Sequence, residues 1–478
     1  VSTPVVLHGH FYQPPREDPW TDRIPEQADA APYHDWNVRI ADESYGPLAR
    51  LGAFDWLSYD VGPTLLQWLE RERPEIYDAI LAGDRASRER TGFGNALAQP
   101  YHHIILPLAT RREKRTEVRW GVADFERRFG RTPEGMWLPE TAVDHETLDV
   151  LAEHDVRFTV LAPHQVTTPP ADGDPGRIAL AGGREIAVFV YDGALSHGVA
   201  FGELLRDADR WMDRIRERVA GGAHRLVALA MDGETFGHHH PGGEQTLAAV
   251  LGGLREDPAL RLTSFPEMLA SAGSGPFMEL VERTSWSCAH GIERWRDDCG
   301  CRIAPEHATR QEWRRPLREA LERLALGLDA AFDRRAAGVL TQPDEARDGY
   351  GAVFRAASGA RDGYVRSVAA REDEDTLERA RALLAMSRDR AAMFTSCGWF
   401  FDDVARLEPT QVLRYAAHAL GELARLDARE AARLEGELED GLAGATSNDP
   451  GAGTAATIYR DIRRLHPLEG ARVTATET

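Results

Sequence analysis

The chain has 478 residues, 42% of them apolar and 28% charged. It is too long for one ordinary core, and its composition excludes the disordered, collagen-like and disulfide-scaffold classes. Its 57 basic and 77 acidic residues leave a formal charge of −20, which argues against a nucleic-acid or anionic-membrane partner, since either wants a basic surface. A neutral oligo- or polysaccharide is compatible with that balance. No apolar run approaches ~20 residues, so no membrane-spanning helix is expected. Lys114 is the only lysine, so Schiff-base chemistry would rest on it alone. Four cysteines in so long a chain make no disulfide framework, and no charged-then-apolar leader opens the sequence. A reducing, cytoplasmic setting is the simplest expectation. Nothing in the sequence sets an oligomeric state.

In chain order, strands are predicted at Pro4–His8, Met136–Leu138, Phe158–Leu161, Glu185–Tyr191, Leu226–Met231 and Leu262–Phe265. These runs are apolar on both faces and bounded by Gly, Pro or polar clusters, as in a buried parallel sheet. Helical segments lie between them, at Pro63–Arg71, Arg112–Phe129, His145–His154 and Glu203–Val219. Such alternation implies a barrel or a doubly wound sheet over roughly the first 275 residues. From about Ala304 the pattern becomes purely amphipathic-helical, with helices predicted at Arg310–Arg335, Asp344–Ala370, Asp375–Ala392, Pro409–Leu426 and Ala428–Leu442.

The informative feature is where polar clusters fall. The first strand runs into His8-Gly9-His10-Phe11-Tyr12-Gln13-Pro14, a later one into Trp137-Leu138-Pro139-Glu140, and another into Asp232-Gly233-Glu234. Active sites of barrels and open α/β sheets gather at the carboxyl ends of strands. Three such ends offer two histidines and two or three carboxylates to one mouth. Two carboxylates across a pocket are the minimum for cleaving a glycosidic bond. Phe11, Tyr12, Trp20, Trp36, Trp56, Trp137 and Phe236 are aromatics available to stack on sugar faces. Glu234 reads better as a structural hydrogen-bonding group than as a second acid. Asp60 and Asp192 read equally as turn or cap residues and as sugar ligands.

The strings HGHFYQPP, QPYHHIILPL (Gln99–Leu108), GMWLPE, MDGETFG and SWSCAHGIERW (Ser285–Trp295) resemble the ordered sequence regions of glycoside hydrolase family 57. MFTSCGWFFDD (Met393–Asp403) resembles an uncharacterised carboxyl extension of one subgroup. The resemblance implies an α/β fold: an incomplete (β/α)7 barrel over residues 1–285, followed by an α-helical domain over 286–478 that contributes to the active-site rim. It implies a retaining hydrolase or transglycosylase acting on α-linked glycans, with α-glucan the favoured substrate, of amylase, 4-α-glucanotransferase or branching type. By the same resemblance Glu140 is the nucleophile and Asp232 the general acid/base. His8, His10, His103, Trp137, Trp286, His290 and Trp295 contact substrate. The chemistry requires Glu140 ionised and Asp232 protonated near neutral pH, so their environments must differ. Phe11 and Tyr12 stand where many members run more directly from His to Gln-Pro, a departure expected to reshape the adjoining subsite.

Two other readings remain open from the residues. One is a metal-dependent carbohydrate hydrolase or deacetylase, with His8, His10, His103 and Asp232 as ligands. The other is a non-catalytic glycan-binding protein. No cofactor and no metal are expected. His238-His239-His240 reads as a loop at a pocket rim. Cys288-x-His290 and Cys299-x-Cys301 offer four zinc-type ligands, but one intervening residue per pair is tighter than the common two to four, so reduced, packed thiols are the expectation.

Overall fold

The computed structural model describes residues 2–221, 225–272, 275–304, 306–354 and 358–468. The chain divides into two compact units. The first comprises Val1–Gln13, Pro25–Tyr101 and Gly121–Trp286; the second comprises Pro14–Ile24, His102–Trp120 and Ser287–Thr478.

The first unit is built on eight strands: β1 (Thr3–Phe11), β2 (Ser58–Val61), β3 (Ala96–Leu97), β4 (Phe158–Leu161), β5 (Gly176–Ala179), β6 (Glu185–Val190), β7 (Val227–Asp232) and β8 (Leu260–Leu262). One sheet runs β3-β2-β1-β7, all parallel, and another runs β4-β6-β5. Parallel bridges Ala98–Met136 and Gly135–Phe158 insert the segment 135–136 as a stave between β3 and β4. At the seam between β6 and β7 the Asp192 amide donates to the Ala228 carbonyl at 2.7 Å, and the Ala230 amide donates to Ser196 Oγ. The result is an incomplete (β/α)7 barrel. β5 lies antiparallel against β6, and β8 pairs with the start of β1.

The pleat explains the interior. Side chains alternate across a strand, so Val6, His8 and His10 share one face of β1, and Ala228, Ala230 and Asp232 share one face of β7. Val6, Leu97, Phe158, Val160, Phe189, Ala228 and Ala230 form one buried cluster. That apolar layer gives way to histidines and carboxylates at the carboxyl ends of the strands.

The predicted strands are largely found, with instructive differences. β1 extends beyond His8 through His10 to Phe11, so His10 as well as His8 is a strand residue. Met136–Leu138 contributes bridges only. β8 ends at Leu262, and a helix begins at Phe265. β2, β3 and β5 were not anticipated. In the second unit, helices run over Arg314–Ala336, Pro343–Gly349, Ser358–Val368, Glu374–Ala392, Leu407–Leu426, Ala428–Leu442 and Ala455–Leu465. The predicted helix at 344–370 is thus two helices, with residues 355–357 outside the described set. Among the described residues no helix is long and apolar enough to cross a membrane.

Gly121, in the helix Arg111–Phe129, lies against the Gln99–Pro100 backbone so closely that a Cβ would overlap the Gln99 carbonyl oxygen. Gln99 is itself a partner of the buried polar centre described below. Gly121→Ala is therefore expected to destabilise the fold by about 1–3 kcal/mol, the usual cost of overpacking, despite alanine's better helix propensity. Chemical denaturation checks this, and an unchanged or raised midpoint would contradict the packing argument.

Candidate active site

The centre of the site is a buried carboxylate. Asp60 lies on β2 and is 0% exposed. The strand register sets His8 opposite Ser58 and His10 opposite Asp60. On the other flank of β1 the register sets His10 opposite Asp232. Asp60 Oδ1 accepts from His8 Nε2 at 2.8 Å, and Oδ2 accepts from His10 Nδ1 at 2.8 Å. Gln99 Nε2 also donates to Asp60 Oδ2, and reaches the Phe11 carbonyl at 3.3 Å.

A carboxylate can only accept, so each histidine must carry a proton on the nitrogen that faces it. Burial lowers the pKa of His8 despite Asp60. Its neutral ring donates from Nε2, leaving Nδ1 to accept from Ser58 Oγ at 2.9 Å. Burial also works against charging His10, but Asp60, Asp232 and Glu234 together overcome it and push the group up to about 9. His10 is therefore an imidazolium at neutral pH. Asp60 shows the complementary balance: burial acts to raise it, yet His10 and His8 hold it below its ordinary value. Both imidazoles stack on the Trp137 indole, at centroid distances of 4.8 Å for His8 and 5.2 Å for His10, which favours a cationic ring at His10.

Asp232 is the last residue of β7 and is half-buried. Burial pushes its carboxyl up to about 7; His10 pulls the other way, while Glu234, Glu140 and Asp60 add to the rise. Because the native carboxyl holds its proton well above the ordinary value of 3.8, this group's contribution to stability falls as pH rises from about 4 to about 7 and is constant above that. Burial also raises Tyr191, with Asp232 contributing.

Glu140 sits in the 3-10 turn Pro139–Thr141 with left-handed backbone, φ 57° and ψ 20°, and Thr141 follows at φ 49°. Two such residues in sequence store of the order of 1–3 kcal/mol each, and backbone of this kind clusters at functional sites. The turn is held from outside, because Gln165 Nε2 donates to the Thr141 carbonyl at 2.8 Å. Trp286 grips Glu140 twice: its backbone N–H donates to the Glu140 carbonyl at 3.0 Å, and its indole N–H donates to Oε2 at 3.1 Å.

The structure thus brings His8, His10, Trp137, Glu140, Asp232 and Trp286 together in the first unit. His103, His290 and Trp295 belong to the second unit. There His103 Nδ1 meets Ser396 Oγ at 2.8 Å, Trp295 is fully buried, and His290 lies beside Cys301. Glu234 has the hydrogen-bonding role expected of it, accepting from the Tyr45 hydroxyl and from the Tyr12 amide at 3.3 Å. Asp192 caps a helix by accepting from the Leu195 amide. Phe11 is buried against Tyr45 and Phe54, and Tyr12 packs over Gly62. The three consecutive histidines diverge: His238 turns to Glu43, His240 to the Ala200 carbonyl, and the His239 amide to the Glu234 carbonyl. Of the histidines considered as metal ligands, His8 turns both nitrogens to Asp60 and Ser58, His10 turns Nδ1 to Asp60, and His103 turns Nδ1 to Ser396. Among the described residues the one convergent group of metal-type ligands is Cys288, His290, Cys299 and Cys301, whose ligand atoms lie within 4.8 Å of one another.

Residues 29–256 match the model of Glycosyl hydrolase family 57. That match spans just under half of the chain. Residues 310–477 match a domain of unknown function, DUF3536, consistent with the carboxyl-terminal motif. Alpha-amylase 1 of Dictyoglomus thermophilum is 26% identical over 98 residues, which spans 20% of this chain but only 13% of that relative's length. The fold is shared with an exo-type maltose-forming amylase from Pyrococcus sp. ST04, at a TM-score of 0.74 and 15% identity, over 91% of this chain and 82% of the other. It is shared also with a branching enzyme from Pyrococcus horikoshii, at 0.60 and 15%, over 100% of this chain and 98% of the other.

Asp60→Asn replaces the shared acceptor with a group that presents an amide to one histidine. Breaking a buried ion pair from one side costs about 3–5 kcal/mol, and a loss of that size in unfolding free energy is expected. A loss below about 1 kcal/mol would mean the histidines are held by other contacts.

Proposed function

We propose that this protein is a retaining enzyme acting on α-linked glycans, with α-glucan as the first candidate, and that Glu140 is its nucleophile and Asp232 its general acid/base. The observation that carries the reading is the contrast between the two carboxyl groups. Asp232 is pushed up to about 7, where a proton can be given and taken back near neutrality. Glu140 is oriented by the Trp286 indole and by a strained, externally held turn.

In the first step Glu140 attacks the anomeric carbon while Asp232 delivers its proton to the departing glycosidic oxygen. The bond to the leaving sugar breaks and a β-linked glycosyl ester forms on Glu140. In the second step Asp232, now a carboxylate, takes a proton from water or from an acceptor hydroxyl, whose oxygen displaces Glu140 and restores the α-configuration. His10 moderates the rise of Asp232, so the group stays titratable near neutral pH. Trp286, partly exposed, offers aromatic surface, whereas Trp137 is fully buried and backs the rings of His8 and His10 instead of facing a sugar. The double displacement calls on none of His103, His290 and Trp295. The separate amylase and branching names of the two structural relatives support either water or a sugar hydroxyl as acceptor.

Incubation with a linear maltooligosaccharide, products followed by chromatography and by proton NMR of the first-formed anomer, tests this. New α-anomeric products are expected from the wild type. Longer products would identify transfer, and shorter ones alone hydrolysis. Glu140→Gln should reduce turnover to background, and Asp232→Asn by roughly 10²–10⁴-fold. A β-anomer as first product would reject the retaining mechanism.

The acid role also sets a pH dependence. Asp232 must be protonated for the first step and loses its proton as pH rises through about 7. Turnover of the wild type is therefore expected to fall above about pH 7, and this limb should vanish from the residual activity of Asp232→Asn. A limb that persists in the variant would assign it to another group.

A further inference from the structure

A second cluster of chemically active side chains lies in the second unit. Cys288 Sγ is 3.8 Å from Cys299 Sγ and 3.8 Å from Cys301 Sγ. Cys301 Sγ is 3.6 Å from His290 Nδ1. All four ligand atoms fall within 4.8 Å of one another. A tetrahedral zinc ion with bonds of ~2.3 Å to sulfur and ~2.05 Å to nitrogen has sulfur–sulfur edges of ~3.8 Å and sulfur–nitrogen edges of ~3.6 Å. These three spacings match those edges. We propose that Cys288, His290, Cys299 and Cys301 form a structural zinc site.

The alternatives explain less. A disulfide needs sulfurs ~2.05 Å apart, and Cys288 is equally far from two partners, so its position selects neither. Simple core packing does not account for His290, which is exposed yet turned toward the cluster. The tight spacing within each pair is resolved by backbone: Gly300, between Cys299 and Cys301, has φ 76°, and Gly291, just after His290, has φ 81°. Gly300 bends the chain between Cys299 and Cys301 so that these two ligands converge, and Gly291 turns the chain away after His290.

An independent observation is Arg314, at the start of the helix Arg314–Ala336. It is 0% exposed, and among the described residues no carboxylate oxygen lies within 4.0 Å of it. Burial and Arg294 oppose its charge, while the thiols of Cys299 and Cys301 and, from a greater distance, Asp402 favour it, and a buried guanidinium with no close ion pair is costly. Its Nη1 instead lies 3.9 Å from Cys299 Sγ and donates to the Cys301 carbonyl at 3.2 Å. On zinc binding three thiols release their protons to water, and the neutral imidazole binds through Nδ1. Three thiolates against a divalent ion leave one net negative charge, which Arg314 neutralises. Arg314 is thus a positioning residue for the site. It also donates to the Phe401 carbonyl at 3.3 Å, so the metal would clip the 288–301 segment to the helical unit.

The test is elemental analysis of the full chain purified under reducing conditions, together with a thiol count after denaturation. About one zinc per chain and four titratable thiols are expected. No zinc bound after incubation with the ion, or two thiols lost to a disulfide, would overturn the proposal. Cobalt reconstitution of the unmutated protein should give thiolate-to-metal charge-transfer bands and tetrahedral d–d bands, and their absence would equally overturn it. His290→Ala changes an exposed residue and should stay folded by circular dichroism, with an altered cobalt spectrum. Arg314→Gln should weaken zinc binding by roughly 10–100-fold. An unaltered spectrum in His290→Ala would remove that histidine from the site and contradict the four-ligand assignment.

Discussion

One buried carboxylate organises the candidate site. Asp60 has no contact with water, and it survives in the barrel because two histidines and Gln99 satisfy it. The same contacts fix the histidines. Each ring nitrogen facing Asp60 must be protonated, and the stacking of both rings on Trp137 removes their remaining freedom. Strand register then does the rest: the residue opposite His10 on one side is Asp60 and on the other is Asp232. A negative charge at Asp60 makes a positive His10 sustainable, and a positive His10 limits how far Asp232 rises.

The two carboxyl groups given catalytic roles are set apart by different means. Asp232 is tuned by burial and by a crowd of like charges, with one cation as counterweight. Glu140 is placed by backbone: an unfavourable turn held in shape by Gln165 and Trp286. Tuning of the first kind changes proton affinity, and placement of the second kind changes geometry. A double displacement needs both, one in each residue.

Much of this was legible in the residues, for physical reasons that differ by element. β4 was readable to the residue because both of its faces are buried and Val156 and Ala162 bracket it with polar or proline-containing turns. The helix Ala428–Leu442 was readable because Asp427 caps it. The ordered motifs placed Glu140, Asp232, His8 and His10 on one barrel mouth. β2 was missed because Asp60 interrupts its apolar run, and a buried aspartate looks like a turn until its two histidine partners are known. That pairing crosses 50 residues of sequence and leaves no local pattern. The four cysteine and histidine ligand atoms converge within 4.8 Å despite their tight spacing, and the left-handed Gly300 between Cys299 and Cys301 supplies a bend that a spacing rule does not contain.

The most direct measurement of the central claim is covalent trapping. A 5-fluoro glycosyl fluoride of α-configuration slows the second displacement and lets the glycosyl-enzyme accumulate, and intact-mass analysis followed by peptide mapping locates the sugar. The account predicts one adduct per chain, carried on the peptide that contains Glu140 and absent from Glu140→Gln. An adduct on a different carboxylate, or turnover of a maltooligosaccharide with no adduct at any residue, would contradict it.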